Sequence, residues 1–370
     1  LLPLLVLSVD APADERAPEN LDLVIGLFRH GDRAPMLSYL NDPHHDSKYW
    51  HHGYGELTLR GIQTMIDLGR YLRTRYQYFL SNDTKETKVR SSPTSRCFTS
   101  ASFLLYELHP ATGSRQWKIG EQWFPIPITR IPEGHDKYTL LCLSEMKKLW
   151  KQTVTPNGKN EGLVRFLVGA TAALHLSVEE HASIIPVLLD AMVVQKEYAL
   201  PLLPWFEERY NNLSSAHKQI ITMMAKAAIT NMGGEILRDI ADHLEMRYKA
   251  ENATSVFSSG RQQRSATGVR FQLLAYHDLN LMATLMGLDS TFSEKPHYGS
   301  IVLFEVTTPS EEEPEIRVLY RNGTQGLVKV PIQGCTSPCT VSRFILAVRE
   351  RFPTSFSPEV CGYPKGHTVL

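Results

Sequence analysis

Leu23-Val24-Ile25-Gly26-Leu27-Phe28, running straight into Arg29-His30-Gly31-Asp32-Arg33-Ala34-Pro35, carries the most structural information in this 370-residue chain. The apolar run reads as a strand buried on both faces, as in sheets covered by helices on either side. Two guanidiniums and an imidazole then stand where that strand ends. In open α/β sheets, ligands bind at that end. Gly31 is expected to let the backbone turn sharply, and Pro35 to stop regular structure. The residue types suit a phosphate. Arginine presents a planar fork of donors and stays charged at any biological pH, and a neutral imidazole can act as a covalent nucleophile. An exposed basic turn without a role is the competing reading; the buried strand and the second arginine, Arg33, weigh against it.

The same strand-then-polar pattern occurs twice more. Lys88-Val89-Arg90-Ser91 reads as a short strand entering a helix, with Ser92 as cap, Pro93 at the first helical position and Phe98, Ala101, Leu104, Leu105 and Leu108 as its buried face. Arg96 falls in the first turn, where free backbone N–H groups favour an anion. Val269, Phe271, Leu273, Leu274 and Ala275 lead to His277-Asp278, and the helix that follows is expected to end at Gly287. Between the first two strands, Thr58 caps a helix predicted through Leu80, with Arg60, Arg70, Arg73 and Arg75 on a solvated face. Strands are predicted at 301–306, 316–321 and 327–330, with an Asn322-Gly323 turn, then a helix over 342–351.

Length suits a large α/β domain with a second lobe. Pro125, Pro127 and Pro132 mark a change to helical texture through Tyr210. The division read from this is a leader (1–20), a first α/β part (21–116), an inserted α-helical lobe (117–213) and a second α/β part (214–370). Lys+Arg and Asp+Glu balance at 39 each, so neither a nucleic-acid surface nor an acidic tail is indicated. His44-His45 and His51-His52 lie in a loop over 40–55 that reads as a solvated rim rather than a metal site. Leu1 to Val9 read as the end of a signal-peptide apolar region, a native N-terminal strand being the alternative. No later stretch is long and apolar enough to span a bilayer. Sequons at Asn82, Asn212, Asn252 and Asn322 fit the secretory route. Of five cysteines, Cys335 and Cys339 bracket a turn that brings their Cα atoms within disulfide range. A metal site competes, but no nearby His/Cys pair completes four ligands.

The stretch Phe28 to Pro35 resembles the signature of the histidine acid phosphatases, in the two-histidine phosphatase superfamily. The likeness extends through Gly55-Glu56-Leu57-Thr58, Gly69 to Tyr76, Ala275-Tyr276-His277-Asp278 and Gly334 to Cys339, and is greatest to the prostatic, lysosomal and venom enzymes. It implies an α/β fold with a mainly parallel central sheet flanked by helices and a smaller inserted α-helical lobe. It pairs Cys335 with Cys339 and Cys142 with Cys361, leaving Cys97 unpaired. Relatives carry R-S-T-D-x-x-R-T where this chain has Arg90 to Cys97. Arg96 falls on the second arginine, whereas Pro93 replaces the Asp and Cys97 the Thr.

The resemblance implies hydrolysis of phosphate monoesters without a cofactor or metal. His30 would attack phosphorus, with Arg29, Arg33 and Arg96 holding the nonbridging oxygens and His277 donating to the same group. Asp278 would protonate the leaving alcohol. Nearby guanidiniums should hold His30 neutral in acid, with Asp278 still able to hold a proton, so an acidic optimum is expected. The expected partner is a small phosphate monoester or a phosphoprotein, with no nucleic acid and no membrane span; close relatives form homodimers. The expected location is extracellular, or the lysosomal lumen. A phytase, a lysophosphatidate- or nucleotide-preferring phosphatase and a non-catalytic secreted binding protein are the alternatives.

Overall fold

A computed structural model describes residues 16–39, 42–121, 123–139, 178–254, 268–309 and 312–355, with 357–359, 361 and 363; the side chains of 178–187, 205 and 249–254 are excepted. The first strand, β1 (Leu21–Arg29), lies at the centre of a seven-stranded sheet. The others are β2 (Thr87–Ser91), β3 (Ile128–Arg130), β4 (Phe271–Tyr276), β5 (Ile301–Thr307), β6 (Glu315–Arg321) and β7 (Leu327–Val330), in the order β3-β2-β4-β1-β5-β6-β7. β3, β2, β4 and β1 pair in parallel, and β5, β6 and β7 continue the sheet antiparallel. Five of the seven therefore run the same way, the mainly parallel sheet expected.

Why β1 is central follows from its side chains. Leu23, Ile25 and Leu27 enter one core with Ile236, Leu237, Leu281, Leu285 and Phe344; Val24 and Phe28 enter the opposite core with Met65, Leu72, Leu104 and Leu105. Successive strand residues point to opposite faces, so an unbroken apolar run can be satisfied only between two helical layers. The second face is covered by α1 (Leu59–Arg75) and α2 (Ser95–Leu108). The first is covered by α5 (Gly234–Thr254), α6 (Asp278–Leu288) and α7 (Val341–Arg351). Between β3 and β4 in the chain come α3 (Val178–Glu197) and α4 (Tyr210–Ala227), which share a separate small core of Leu188, Leu189, Met192, Leu213, Ala216 and Ile220. Helix α4 crosses the 213/214 boundary without a break.

Helix α1 begins as expected, with Thr58 Oγ1 accepting the Gly61 N–H at 3.0 Å, but ends at Arg75, five residues short of the expected Leu80. Its arginines do not form one solvated face. Arg75 is buried and donates to Glu305, at 3.0 Å from Nε and 2.6 Å from Nη2; Tyr76 and Arg317 complete that carboxylate's shell. Breaking a buried pair of this kind by removing one partner costs about 3–5 kcal/mol. Gly287 does not end α6, which runs to Leu288; it lies against Leu237 and Phe352, which an added side chain would press on tightly. His44 is buried beside Asp42, not on a solvated rim, whereas His51 and His52 are exposed.

The Cys335–Cys339 disulfide is present. Cys142, half of the other bridge implied, lies outside the described residues, as do 1–15. Asn82 and Asn212 are exposed, and the side chain of Asn252 is outside the described set. Asn322 does not fit a glycan: it is 7% exposed, and its Oδ1 accepts the His297 N–H at 2.8 Å and the Ser300 hydroxyl at 2.9 Å. No described helix is long and apolar enough to cross a membrane.

Candidate active site

Strand register brings the two histidines together. Arg29 of β1 is level with Tyr276 of its parallel neighbour β4, so residues 30 and 277 leave the sheet side by side. The His30 N–H donates to the Tyr276 carbonyl at 3.1 Å, and the two imidazole centroids are 5.4 Å apart. On the far side of β4, Ser91 of β2 is level with Ala275, and the chain enters α2 one turn later with Arg96. Ser92 is not the cap expected there. Thr94 occupies that position, Ser92 Oγ lies 3.0 Å from Thr94 Oγ1 and 3.2 Å from His277 Nε2, and Arg130 Nε holds the Pro93 carbonyl at 2.8 Å. The loop altered at Pro93 is thus anchored from β3, and Arg96 stays in the first turn.

The signature is held in place by close backbone contact rather than a glycine-only turn. A side chain on Gly31 would meet the backbone of Gly61, and one on Gly61 would meet that of Asp32. Gly31 is not among the residues with positive φ, so its role is approach and not handedness. Asp32, 2% exposed, accepts from Thr58 Oγ1 at 2.5 Å, from Arg60 Nη2 at 2.8 Å and from the Tyr198 hydroxyl, tying the signature to α1 and to the end of α3.

His30 is 2% exposed. Its Nδ1 lies 2.8 Å from the Gly31 carbonyl, which can only accept, so Nδ1 carries the proton and Nε2 presents a lone pair. Arg96 Nε donates to Nε2 at 3.2 Å, and Arg96 Nη2 is 3.5 Å from His277 Nδ1. Burial first, then Arg96 and Arg29, hold the His30 imidazolium well below its ordinary range; burial and Arg96 bring His277 down to about 3. Both rings are neutral in mild acid.

The other two arginines are paired through their terminal nitrogens. Arg29 Nη2 meets Asp278 Oδ2 at 3.0 Å, its Nη1 donates to the Pro296 carbonyl at 2.7 Å, and its guanidinium lies 4.0 Å from the ring of Tyr298. Arg33 binds Asp190 of α3 through two parallel bonds of 2.9 Å. In both arginines the Nε–H is buried without a hydrogen-bond partner among the described residues. A buried unsatisfied donor costs about 1–3 kcal/mol, and two of them beside an unprotonated imidazole suit an anion. Asp278 opens α6, with Oδ1 accepting the Leu279 N–H at 2.9 Å. Burial pushes its carboxyl up, but Arg29, Lys295 and Arg33 outweigh that and hold it below the usual carboxylate range. This corrects the expectation that Asp278 keeps its own proton in acid.

All six candidates therefore converge, with Arg33 reaching its place through Asp190. Arg90, the weaker second candidate in its segment, is an ion-pair partner: it meets Asp136 at 3.0 Å and the Tyr276 hydroxyl at 2.9 Å. Cys97 is buried, its Sγ 3.7 Å from His277 Nε2. Asp190, Tyr298 and Lys295 were not foreseen. The first is one acid in an amphipathic helix, and the others sit in a loop with no periodic signal. No group of three or more metal-ligating side chains occurs among the described residues.

Comparison with known proteins agrees with this geometry. The family model for the histidine phosphatase superfamily (branch 2) matches residues 20–160. The chain is 30% identical to testicular acid phosphatase of Mus musculus, over 88% of this chain and 79% of that protein. It is 26% identical to lysosomal acid phosphatase of Homo sapiens, over 92% and 80%, and 25% identical to prostatic acid phosphatase of Bos taurus, over 97% and 92%. Among solved structures, Hafnia alvei phytase in complex with myo-inositol hexakis sulphate superposes with a TM-score of 0.63 at 18% identity, covering 94% of this chain and all of that one; this likeness concerns the fold.

Proposed function

This chain belongs to branch 2 of the histidine phosphatase superfamily, and on that premise we propose that it hydrolyses phosphate monoesters through a phosphohistidine on His30, with Asp278 as proton donor. The observation that carries the reading is the unprotonated His30 Nε2 bonded by Arg96, with the guanidiniums of Arg29 and Arg33, whose Nε–H groups have no partner among the described residues, close enough to act on the same imidazole. A bound phosphoryl group would take up those donors, and Arg96 would exchange His30 Nε2 for a phosphoryl oxygen. The Nε2 lone pair forms the N–P bond as the P–O ester bond breaks. The departing alkoxide takes a proton from Asp278. Water then attacks phosphorus, Asp278 takes its proton, the N–P bond breaks, and neutral His30 is restored.

Because Asp278 is held ionised by Arg29, Lys295 and Arg33 against its burial, the proton enters with the substrate. A phosphate monoester with its second pKa near ~6 is a monoanion in acid. Carried into the site, that proton passes to Asp278 as the phosphoryl charge offsets the guanidiniums. His30 stays neutral over the same range. Turnover of p-nitrophenyl phosphate should therefore peak in acid and decline as the substrate loses its second proton. A rate climbing steadily to pH 9 contradicts the scheme, and phosphate binding with no turnover identifies a binding protein. The Cys335–Cys339 disulfide supports an oxidising compartment, extracellular or lysosomal, and the exposed Asn82 and Asn212 sequons fit a secreted glycoprotein.

A further inference from the structure

The segment Lys295-Pro296-His297-Tyr298, between α6 and β5, contacts both members of the Arg29–Asp278 pair. The Pro296 carbonyl takes Arg29 Nη1 at 2.7 Å, and the Tyr298 ring lies 4.0 Å from the guanidinium and 5.8 Å from the His30 ring centre. Lys295 Nζ lies 4.0 Å from Asp278 Oδ2, the oxygen that Arg29 also holds. The segment is itself fastened. The His297 N–H donates to Asn322 Oδ1, which also takes the Ser300 hydroxyl; Ser300 Oγ in turn accepts the Gly323 N–H at 3.0 Å. Asn322, unsuited to a glycan, is the anchor of this strap.

We propose that Lys295 is a positioning residue for the reaction, acting through Asp278 to set the pH at which the leaving-group proton is lost from the loaded site. The inference rests on the reading of Asp278 as proton donor. Among the described residues, Asp278 also faces Arg29 and Arg33 of the signature, Arg96 of α2, His217 of α4 and its neighbour His277, while Asp190 and Glu197 of α3 face Lys295 and Tyr298 lies on Arg29. Arg29 and Arg33 are already engaged with carboxylates at 3.0 and 2.9 Å. Lys295 is the looser cation, with 26% of its side chain exposed. It can be exchanged without unpairing a buried guanidinium.

The test is the pH dependence of the single-turnover rate on an alkyl phosphate, glycerol 2-phosphate, whose alkoxide cannot leave unprotonated. Lys295→Met removes one positive charge beside Asp278, so the proton is held more tightly and the alkaline limb should move up by about one pH unit. Lys295→Arg should return the limb toward the wild-type position, and Lys295→Gln serves if the Met variant fails to fold. A uniform fall in rate with an unmoved limb, while Asp278→Asn abolishes glycerol 2-phosphate turnover, overturns the Lys295 proposal and leaves the donor reading standing. If Asp278→Asn turns over glycerol 2-phosphate normally, the donor reading falls and takes this inference with it.

Discussion

His30→Ala should lower kcat for p-nitrophenyl phosphate by about 10⁴-fold or more, with folding intact and inorganic phosphate still bound. The size follows from covalent catalysis: removing an enzyme's nucleophile has cost up to about 10⁶ in kcat, while positioning and charge stabilisation leave a residual rate. Here the phosphoryl oxygens would be held by Arg29 and Arg33, neither of which bonds His30, and by Arg96, which gives up its bond to His30 Nε2 on binding and keeps its contacts with the Gly55 carbonyl and His277. Arg29 is fixed by Asp278 and Pro296, and Arg33 by Asp190. Phosphate affinity, read by calorimetry, should change only a few-fold, and the circular dichroism spectrum should not change. A variant that keeps its rate within tenfold of wild type removes His30 from the nucleophile's role.

The second large effect concerns Asp278→Asn. General acid catalysis contributes typically 10²–10⁴-fold, and its share depends on how badly the leaving group needs a proton. Glycerol 2-phosphate should therefore lose about 10³-fold, whereas p-nitrophenyl phosphate, whose phenolate departs readily, should lose far less. The asparagine keeps the shape of the side chain and can still accept from the Leu279 N–H that opens α6. It removes the negative charge facing Arg29, so phosphate binding should tighten rather than weaken. Equal losses on the two substrates would assign Asp278 to holding Arg29 and not to proton transfer.

What the sequence disclosed and what it hid divide along physical lines. The run from Leu23 to Phe28 has no polar side chain, so it fits only between two apolar layers, and its position at the centre of the sheet follows. His30, Arg96 and His277 each come within a few residues of a strand end, and parallel register then places them together. Local patterns do not encode long-range electrostatics. Nothing near Asp190 in the chain indicates that it holds Arg33, and nothing near Lys295 points to Asp278. The protonation of Asp278 is hidden for this reason: Arg29 and Arg33, 249 and 245 positions earlier, and Lys295, 17 positions later, surround it. Likewise Arg75 looked solvated because its partner, Glu305, is a lone acid in an otherwise apolar strand. Asn322 carried a sequon whose amide the fold uses internally.

Rapid acid-free quenching of the enzyme during turnover, followed by mass spectrometry of its peptides, addresses the covalent step itself. The account predicts a phosphoryl group on the peptide containing His30, stable in alkali and labile in acid, forming and decaying at rates compatible with kcat. A fully active enzyme in which no phosphoryl group reaches His30, or in which the label sits on another residue, contradicts it.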